Sequence, residues 1–177
     1  MIQTTLTHKV LSKYKNPYFL ETGTANGDCV HLALDEGFEK VFSIEIDPLR
    51  QEDNIIKYNK YIISKQLCLI TGDSLIELKK LIPLLDKPTT FWLDAHVDDG
   101  ICGIKTCPLY EELDAIASSN IKNHTIMIDD MRIIGKHWGK DITLNTITSK
   151  LLQINSNYKL CYEDGYAVND ILIAYCI

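Results

Sequence analysis

The sequence lacks the features of several large classes of protein. None of its apolar runs approaches the roughly 18–20 residues that a membrane-spanning helix needs. The opening residues 1–6 carry neither the basic segment nor the apolar segment of a secretory signal. The chain also has no internal repeat, no low-complexity tract and no linker rich in proline, glycine or serine. We therefore expect a compact protein without a membrane partner.

Basic residues are too scarce for a nucleic-acid clamp. The chain has 18 Lys and Arg against 24 Asp and Glu, which gives a net charge of −6. Nonspecific affinity for nucleic acid comes from neutralising phosphates, so this balance predicts no nucleic-acid partner. The length of 177 residues and the apolar content of 46% predict one domain with a substantial core.

The six cysteines do not form the framework of a small disulfide-stabilised protein, because the apolar content already supplies a core. We expect them to be reduced, which favours a cytoplasmic location. His96, Cys102 and Cys107 could be considered as zinc ligands. The Cys-x4-Cys spacing is wider than usual and no fourth ligand is evident, so the pattern disfavours a zinc site.

Short apolar runs alternate with segments of helical period. The predicted strands are 18–21, 41–44, 67–70, 90–93, 125–128, 158–163 and 171–176. Helices predicted between them cover 27–36, 48–64, 74–82, about 108–117 and 142–153. This alternation predicts a Rossmann-like, doubly wound α/β fold with a mostly parallel sheet, in which the last two strands pair antiparallel.

We expect one domain over 1–177, with an N-terminal helical segment at 1–17 and the sheet at 18–177. Ligands of such sheets bind beyond the carboxyl ends of the strands. The polar residues that end the predicted strands are therefore the candidates for a functional site.

The first candidate is the loop 21–27, Glu-Thr-Gly-Thr-Ala-Asn-Gly. Its glycines allow a tight turn and a close approach to a ligand. The Gly-x-Gly-x-x-Gly fingerprint of dinucleotide sites is absent, which counts against a nicotinamide oxidoreductase. A tight turn that binds nothing is the alternative.

Two further candidates follow the second and third strands. Glu45 can accept hydrogen bonds from two ribose hydroxyls, although Asp47 could do so instead. Asp73 can accept from an adenine amine, but Asp73 and Ser74 are also ordinary residues for capping a helix.

Together, Glu-x-Gly-x-x-x-Gly at 21–27, Glu45 and Gly72-Asp73-Ser74 resemble the S-adenosylmethionine (SAM) site of class I methyltransferases. The resemblance implies a seven-stranded sheet with its last strand antiparallel and SAM as cofactor. The cofactor-binding residues that it implies are Glu21, Gly23, Thr24, Gly27, Glu45, Asp73 and Ser74. Within this set, Glu21 and Gly23 would lie near the methionine part, Glu45 on the ribose, and Asp73 with Ser74 at the adenine.

Three more carboxylates end neighbouring strands of such a sheet. Asp94 follows the fourth strand, and Asp129 and Asp130 follow the fifth. Three acids at one edge repel one another unless a cation lies among them, and hard oxygen ligands favour Mg²⁺. The alternative is that Asp94 acts alone and the pair caps a loop.

Trp92-Leu93-Asp94-Ala95-His96 and Ile128-Asp129-Asp130 also resemble the metal-dependent, macrocin-type sugar O-methyltransferases. The resemblance implies that Asp94, Asp129 and Asp130 hold the metal and that a hydroxyl of a small molecule or sugar is methylated. The family's general base lies two residues after the first metal ligand and is a carboxylate in its sugar-modifying members. His96 stands there in this chain, so it is either the base or a hydrogen-bond partner of a metal carboxylate.

The catalytic residues expected on this hypothesis are Asp94 and His96. Segments 97–107 and 131–140 are expected as lids, in which Trp138 could stack on a sugar face and cations such as Arg132 could meet acidic groups. The alternative is that most of these loop residues are solvated. Two rival functions remain open: a methyltransferase-like binding domain without turnover, and a nitrogen- or sulfur-directed methyltransferase of small molecules. A homodimer is a further expectation.

Overall fold

A single seven-stranded sheet organises the chain. The computed structural model describes residues 4–95, 107–136, 138 and 141–177. The strands are β1 (Tyr18–Thr22), β2 (Lys40–Glu45), β3 (Leu67–Thr71), β4 (Thr89–Leu93), β5 (Thr125–Ile128), β6 (Lys159–Glu163) and β7 (Ile171–Tyr175). Their spatial order is β3-β2-β1-β4-β5-β7-β6, and β7 runs antiparallel to both of its neighbours. The predicted fold class and the antiparallel last strand are confirmed.

Helices cover both faces of this sheet. They are α1 (His8–Lys13), α2 (Asp28–Asp35), α3 (Pro48–Lys57), α4 (Asn59–Ile63), α5 (Ser74–Leu81), α6 (Leu109–Ala117) and α7 (Leu144–Ile154), with 3-10 turns at Ile82–Leu84 and Met131–Ile133. Side chains at four of the helix starts accept a hydrogen bond from the first turn: Thr7, Asp47, Asp73 and Thr143. Because such caps satisfy amides that the helix leaves free, the sequence itself sets where these helices begin. None of the helices in the described ranges is long and apolar enough to cross a membrane.

The central strands are buried on both faces, which explains their continuous apolar runs. Alternate residues of the strands point to opposite sides, so two hydrophobic cores form. One core packs against α5, α6 and α7 and includes Leu20 and Phe91. The other packs against α1, α2 and α4 and includes Phe19 and Trp92.

The helix expected at 48–64 departs from the prediction in two ways. It is interrupted at Tyr58, where φ is −109° and ψ is 17°, so that α3 and α4 are separate. Most of its aliphatic residues do not face the core: Leu49, Ile55, Ile56 and Ile63 are exposed, and only Ile62 packs against it. The side of α3 that faces the sheet is polar: Gln51 Nε2 donates to Ile70 O (2.9 Å), and Asn54 Nδ2 donates to Ala25 O (2.9 Å). Carbonyls of β3 and of the loop after β1 thus favour amide side chains on this side, and Ile55 and Ile56 face outward.

The parallel ladder continues one residue past the strands. The N–H of Gly23 donates to Ile44 O (2.9 Å), and the N–H of Gly72 donates to Glu45 O (2.8 Å). The N–H groups of Asp94 and Asp129 donate to Thr22 O (3.2 Å) and Leu93 O (3.3 Å). The residues that follow four strands are therefore fixed at one edge of the sheet.

We predict that Gly27→Ala destabilises the protein more than Gly37→Ala does. Both glycines have left-handed φ angles, +76° and +70°, which cost an alanine about 1–2 kcal/mol. A Cβ at Gly27 would also lie 2.3 Å from Asn54 Oδ1 and 2.8 Å from a ring carbon of Tyr58, whereas at Gly37 the nearest atom is 4.0 Å away. Overpacking adds about 1–3 kcal/mol at Gly27 only.

Urea denaturation measures both free energies of unfolding. Equal losses in the two variants would contradict the close contact between the loop and α3.

Candidate functional site

The β1–α2 loop lies directly against the end of β4. Gly23 has a φ of +88°, and a Cβ there would be 2.7 Å from the carbonyl oxygen of Asp94. Only glycine allows this approach without strain. Gly27 ends the loop and is the N-cap of α2. The two glycines of the predicted motif thus have distinct tasks, one at the neighbouring strand and one at the helix start.

Glu45 is the acid that faces this loop. It is 5% exposed, and its Oε2 accepts from the N–H of Ala25 (2.8 Å). Its Oε1 accepts from the N–H of Asp47 (2.9 Å). Asp47, the other candidate, caps α3 by accepting from the N–H of Leu49 (2.9 Å). Glu45 therefore contacts the glycine loop, whereas Asp47 caps a helix.

Glu21 is fully buried beneath the same loop. Ser43 Oγ donates to Glu21 Oε1 (2.6 Å) and is also 2.5 Å from Thr24 Oγ1. Burial raises the pKa of Glu21 to about 8; the hydrogen bond from Ser43 opposes this rise, and the charge of Asp94 adds to it. In the free protein this carboxyl is therefore largely protonated at neutral pH, and a cation placed beside it would favour the ionised form.

Asp73 and Ser74 lie where the third strand ends, beside β2. Asp73 Oδ1 accepts from the N–H of Leu75 (3.0 Å) as the N-cap of α5. Ser74 is buried in the first turn of that helix. The capping alternative thus accounts for one oxygen of Asp73, and a ligand role for these two residues stays a prediction.

Asp129 is the most enclosed of the strand-end aspartates. The ladder between β4 and β5 pairs Leu93 with Ile128, so Asp94 and Asp129 follow in matching positions on adjacent strands. Asp129 is 3% exposed, and Thr5 Oγ1 donates to its Oδ2 (2.5 Å). Its Oδ1 is buried without a hydrogen-bond partner in the described part of the chain, and burial raises its pKa to about 6.

Asp130 belongs to a different group from the one predicted. Oxygens of Asp129, Asp130 and Asp170 lie within 4.8 Å of one another, while Asp94 is not in this group among the described residues. The Arg132 guanidinium contacts the carboxylates of both Asp130 and Asp170. The N–H of Arg132 also donates to Asp170 Oδ1 (3.0 Å). The site therefore contains a cation supplied by the chain itself.

Asp170 and Thr5 are site residues that the sequence did not indicate, whereas Arg132 meets acidic groups as expected. Asp170 could have been found from the topology, because an antiparallel last strand begins at the edge where the fifth strand ends. Residues 128 and 172 are paired, which places 130 opposite 170. Thr5 carried no signal in the sequence, since its contact with Asp129 spans 124 residues of chain.

His96 and Cys102 lie outside the described residues, so the structure does not test the catalytic role of His96 or a zinc site. Trp138 is described and is 5% exposed, so it does not offer an open stacking face. It lines a small pocket beside the ends of β4 and β5. The pocket residues are Leu93, Ala95, Cys107, Pro108, Leu109, Glu112, Ile128 and Trp138.

No family model and no curated protein matches the chain. Solved structures do. The Streptococcus mutans protein SMU.1697c, crystallised with S-adenosylhomocysteine (SAH), has a TM-score of 0.68 at 16% identity, with 100% of each chain covered. The O-methyltransferase TomG of Streptomyces achromogenes, in complex with SAM, has a TM-score of 0.61 at 16% identity, covering 96% of this chain and 77% of TomG.

A Clostridium thermocellum protein assigned as an rRNA methylase has a TM-score of 0.61 at 16% identity, with 100% of each chain covered. At these identities the likeness concerns the fold. The chain therefore has the Rossmann-like fold of class I methyltransferases, with its acidic strand ends gathered at the carboxyl edge.

We predict that Glu21→Gln reduces the pH dependence of stability. Because the pKa of Glu21 rises from 4.5 in an unfolded chain to about 8, wild type loses stability as the pH rises from about 4.5 to 8. The glutamine does not ionise, so its stability relative to wild type should increase by about 2–4 kcal/mol between pH 5 and pH 8.

Urea denaturation at the two pH values measures this change in the free protein. The exposed Glu52→Gln variant controls for the loss of one carboxylate. An unchanged difference between Glu21→Gln and wild type would show that Glu21 is ionised throughout.

Proposed function

We propose that the protein is a SAM-dependent methyltransferase that acts on a hydroxyl of a small molecule or sugar with the help of a divalent cation, Mg²⁺ in the first instance. The observation that carries the proposal is the contact of the buried Glu45 with the glycine loop, at the carboxyl edge of a 3-2-1-4-5-7-6 sheet. A carboxylate held there can accept two neighbouring hydroxyls of a ribose.

The remaining cofactor residues surround that position. Gly23, Thr24 and Gly27 give the loop its shape, and Glu21 lies beneath it. SAM carries a methyl group on a positively charged sulfonium. Glu21, which favours a nearby cation, would lie near its methionine part. Asp73 and Ser74 would meet the adenine at the end of β3.

Some of the carboxylates that follow β4 and β5 have the features of ligands for a divalent cation. Asp129 has a buried oxygen without a partner in the described ranges, which is the feature a metal ligand would have. Asp94 follows the neighbouring strand in matching position. Mg²⁺ commonly takes one or two carboxylates and completes its shell with waters and substrate. We assign Asp94 and Asp129 as ligands. Asp130 can join them only if Arg132 moves away from it.

A bound divalent cation lowers the pKa of a coordinated hydroxyl. The chain must then supply an acceptor for the proton, and His96 has the chemistry for it. Its role as base, or as a hydrogen-bond partner of a metal carboxylate, remains a hypothesis. Asp94 would be both ligand and catalytic residue, since it would hold the reacting oxygen in place.

Three rival functions predict different behaviour. A binding domain without turnover would take SAH but would not need the cation. A nitrogen- or sulfur-directed enzyme would turn over in excess chelator. A nucleic-acid methylase, suggested only by the fold of the C. thermocellum protein, conflicts with the net charge of −6.

We predict that Glu45→Gln weakens SAH binding at least tenfold, whereas Asp47→Asn changes it less than about threefold. Hydrogen bonds to a charged acceptor contribute about 1.5–3 kcal/mol each, and tenfold corresponds to about 1.4 kcal/mol. Isothermal titration calorimetry with SAH measures both affinities. If wild type does not bind SAH, the proposed function is wrong; if Asp47→Asn alone weakens binding, the ribose carboxylate is misassigned.

We predict that Asp94→Asn and Asp129→Asn each lower the affinity for Mn²⁺, used as a probe for Mg²⁺, by at least about tenfold. SAH affinity without metal should stay within about threefold of wild type. Asp170→Asn serves as the comparison, because Asp170 is neutralised by Arg132. Calorimetry measures binding, and thermal unfolding shows that each variant is folded.

Loss of Mn²⁺ binding in Asp170→Asn but not in Asp94→Asn would move the site to Asp129, Asp130 and Asp170. An absence of Mn²⁺ binding in wild type, with SAH bound, would contradict metal dependence and favour the rivals.

A further inference from the structure

An apolar stripe runs along the outer face of α3 and α4. Leu49, Ile56 and Ile63 are 71%, 72% and 72% exposed. They are spaced seven residues apart, which brings side chains to the same side within one helix. Ile63 lies beyond the interruption at Tyr58, and its exposure shows that it keeps to the same outer side as Leu49 and Ile56. We call these three residues the α3–α4 stripe. Single exposed apolar residues are ordinary, but an aligned series on one helix face indicates an interaction surface.

The opposite face of these helices fixes the orientation of the stripe. Gln51, Asn54 and Tyr58 are buried there, and Tyr58 Oη donates to Gly27 O (2.7 Å). Rotating α3 to bury its isoleucines would break these hydrogen bonds. The stripe is therefore held outward by the contacts that support the glycine loop.

We propose that a second copy of this chain packs on the stripe, with α3 and α4 antiparallel about a two-fold axis at Ile56. In this register Ile56 meets Ile56 of the partner subunit, and Leu49 meets Ile63 of the partner subunit. The stripe is self-complementary because its outer members lie at equal distances from Ile56 along the chain. A two-fold interface requires this property.

Charge supports the antiparallel direction. Asp53 and Lys60 are both exposed. At about 100° per residue they lie about 60° and 40° from Ile56, on the same flank of the stripe. Asp53 is three residues before Ile56 and Lys60 four after it. The two-fold axis thus places Asp53 beside Lys60 of the partner subunit, twice in the dimer. Parallel packing would place Asp53 and Lys60 of the two subunits on opposite sides of the interface, so that they would not pair.

Lys57, the remaining basic residue near the axis, does not disturb this pairing. Its Nζ donates to Asn26 O (2.8 Å), back toward the glycine loop. A membrane surface is a poorer occupant of the stripe, because Glu52 and Asp53 flank it and would face anionic headgroups. Three side chains cover less area than a standard interface, which buries about 800 Å² per partner, so we expect a weak dimer.

Sedimentation equilibrium over a range of concentrations tests the dimer. Ile56→Asp should weaken self-association at least about 100-fold. Leu84→Asp is the matched control, because Leu84 is 75% exposed outside the stripe, and it should leave self-association within about threefold of wild type. A monomeric wild type up to about millimolar concentration, or an equal effect of Leu84→Asp, would overturn the proposal.

Charge reversal tests the register. Asp53→Lys and Lys60→Asp should each weaken the dimer about tenfold, because each places like charges together. The double variant restores opposite charges and should return to within about threefold of wild type. No rescue in the double variant would overturn the antiparallel register. If wild type is monomeric and cosediments with vesicles containing phosphatidylserine, the stripe binds a membrane and the dimer proposal is wrong.

Discussion

The candidate site depends on four backbone hydrogen bonds that extend the parallel ladder one residue beyond the strands. They join Gly23 to β2, Gly72 to β2, Asp94 to β1 and Asp129 to β4. Because the chain turns away only after these bonds, the following side chains leave the sheet at one edge. The carboxylates gathered there share a setting that is partly closed to water. Position in the sheet, rather than contact between neighbours in sequence, creates the acidic edge.

Gathering acids in this way raises the free energy of their charged forms. Burial raises the pKa of Glu21 to about 8 and that of Asp129 to about 6. A site with this property gains from any cation that enters it, and it releases protons as the cation binds. A sulfonium and a divalent metal ion are both cations. The same physical feature therefore supports both halves of the proposed function.

The sequence predicted the strands well because both faces of the sheet are buried. Continuous runs such as Thr90-Phe91-Trp92-Leu93 are explained by strands that are buried on both faces. It predicted α3 poorly, because apolar spacing alone does not say which face of a helix meets the core. There a carbonyl of β3 accepts from Gln51 and a carbonyl of the loop after β1 accepts from Asn54, which isoleucine could not do. Asp170 and Thr5 were missed because long-range contacts bring them to Asp129.

Arg132 neutralises only some of the carboxylates at the acidic edge. Its guanidinium neutralises Asp130 and Asp170 together, and the stacking of Tyr166 over Arg132, at 5.0 Å, covers it from outside. A metal ion between those two carboxylates would have to displace a bound guanidinium. On the other side of Asp130, Asp129 keeps an oxygen without a partner in the described ranges, next to the strand that ends at Asp94. Among the described members of this cluster, the buried oxygen without a partner therefore belongs to Asp129, which follows the strand that neighbours β4. An arginine that occupies one half of a carboxylate cluster would thus direct a metal ion to the half nearest the proposed chemistry.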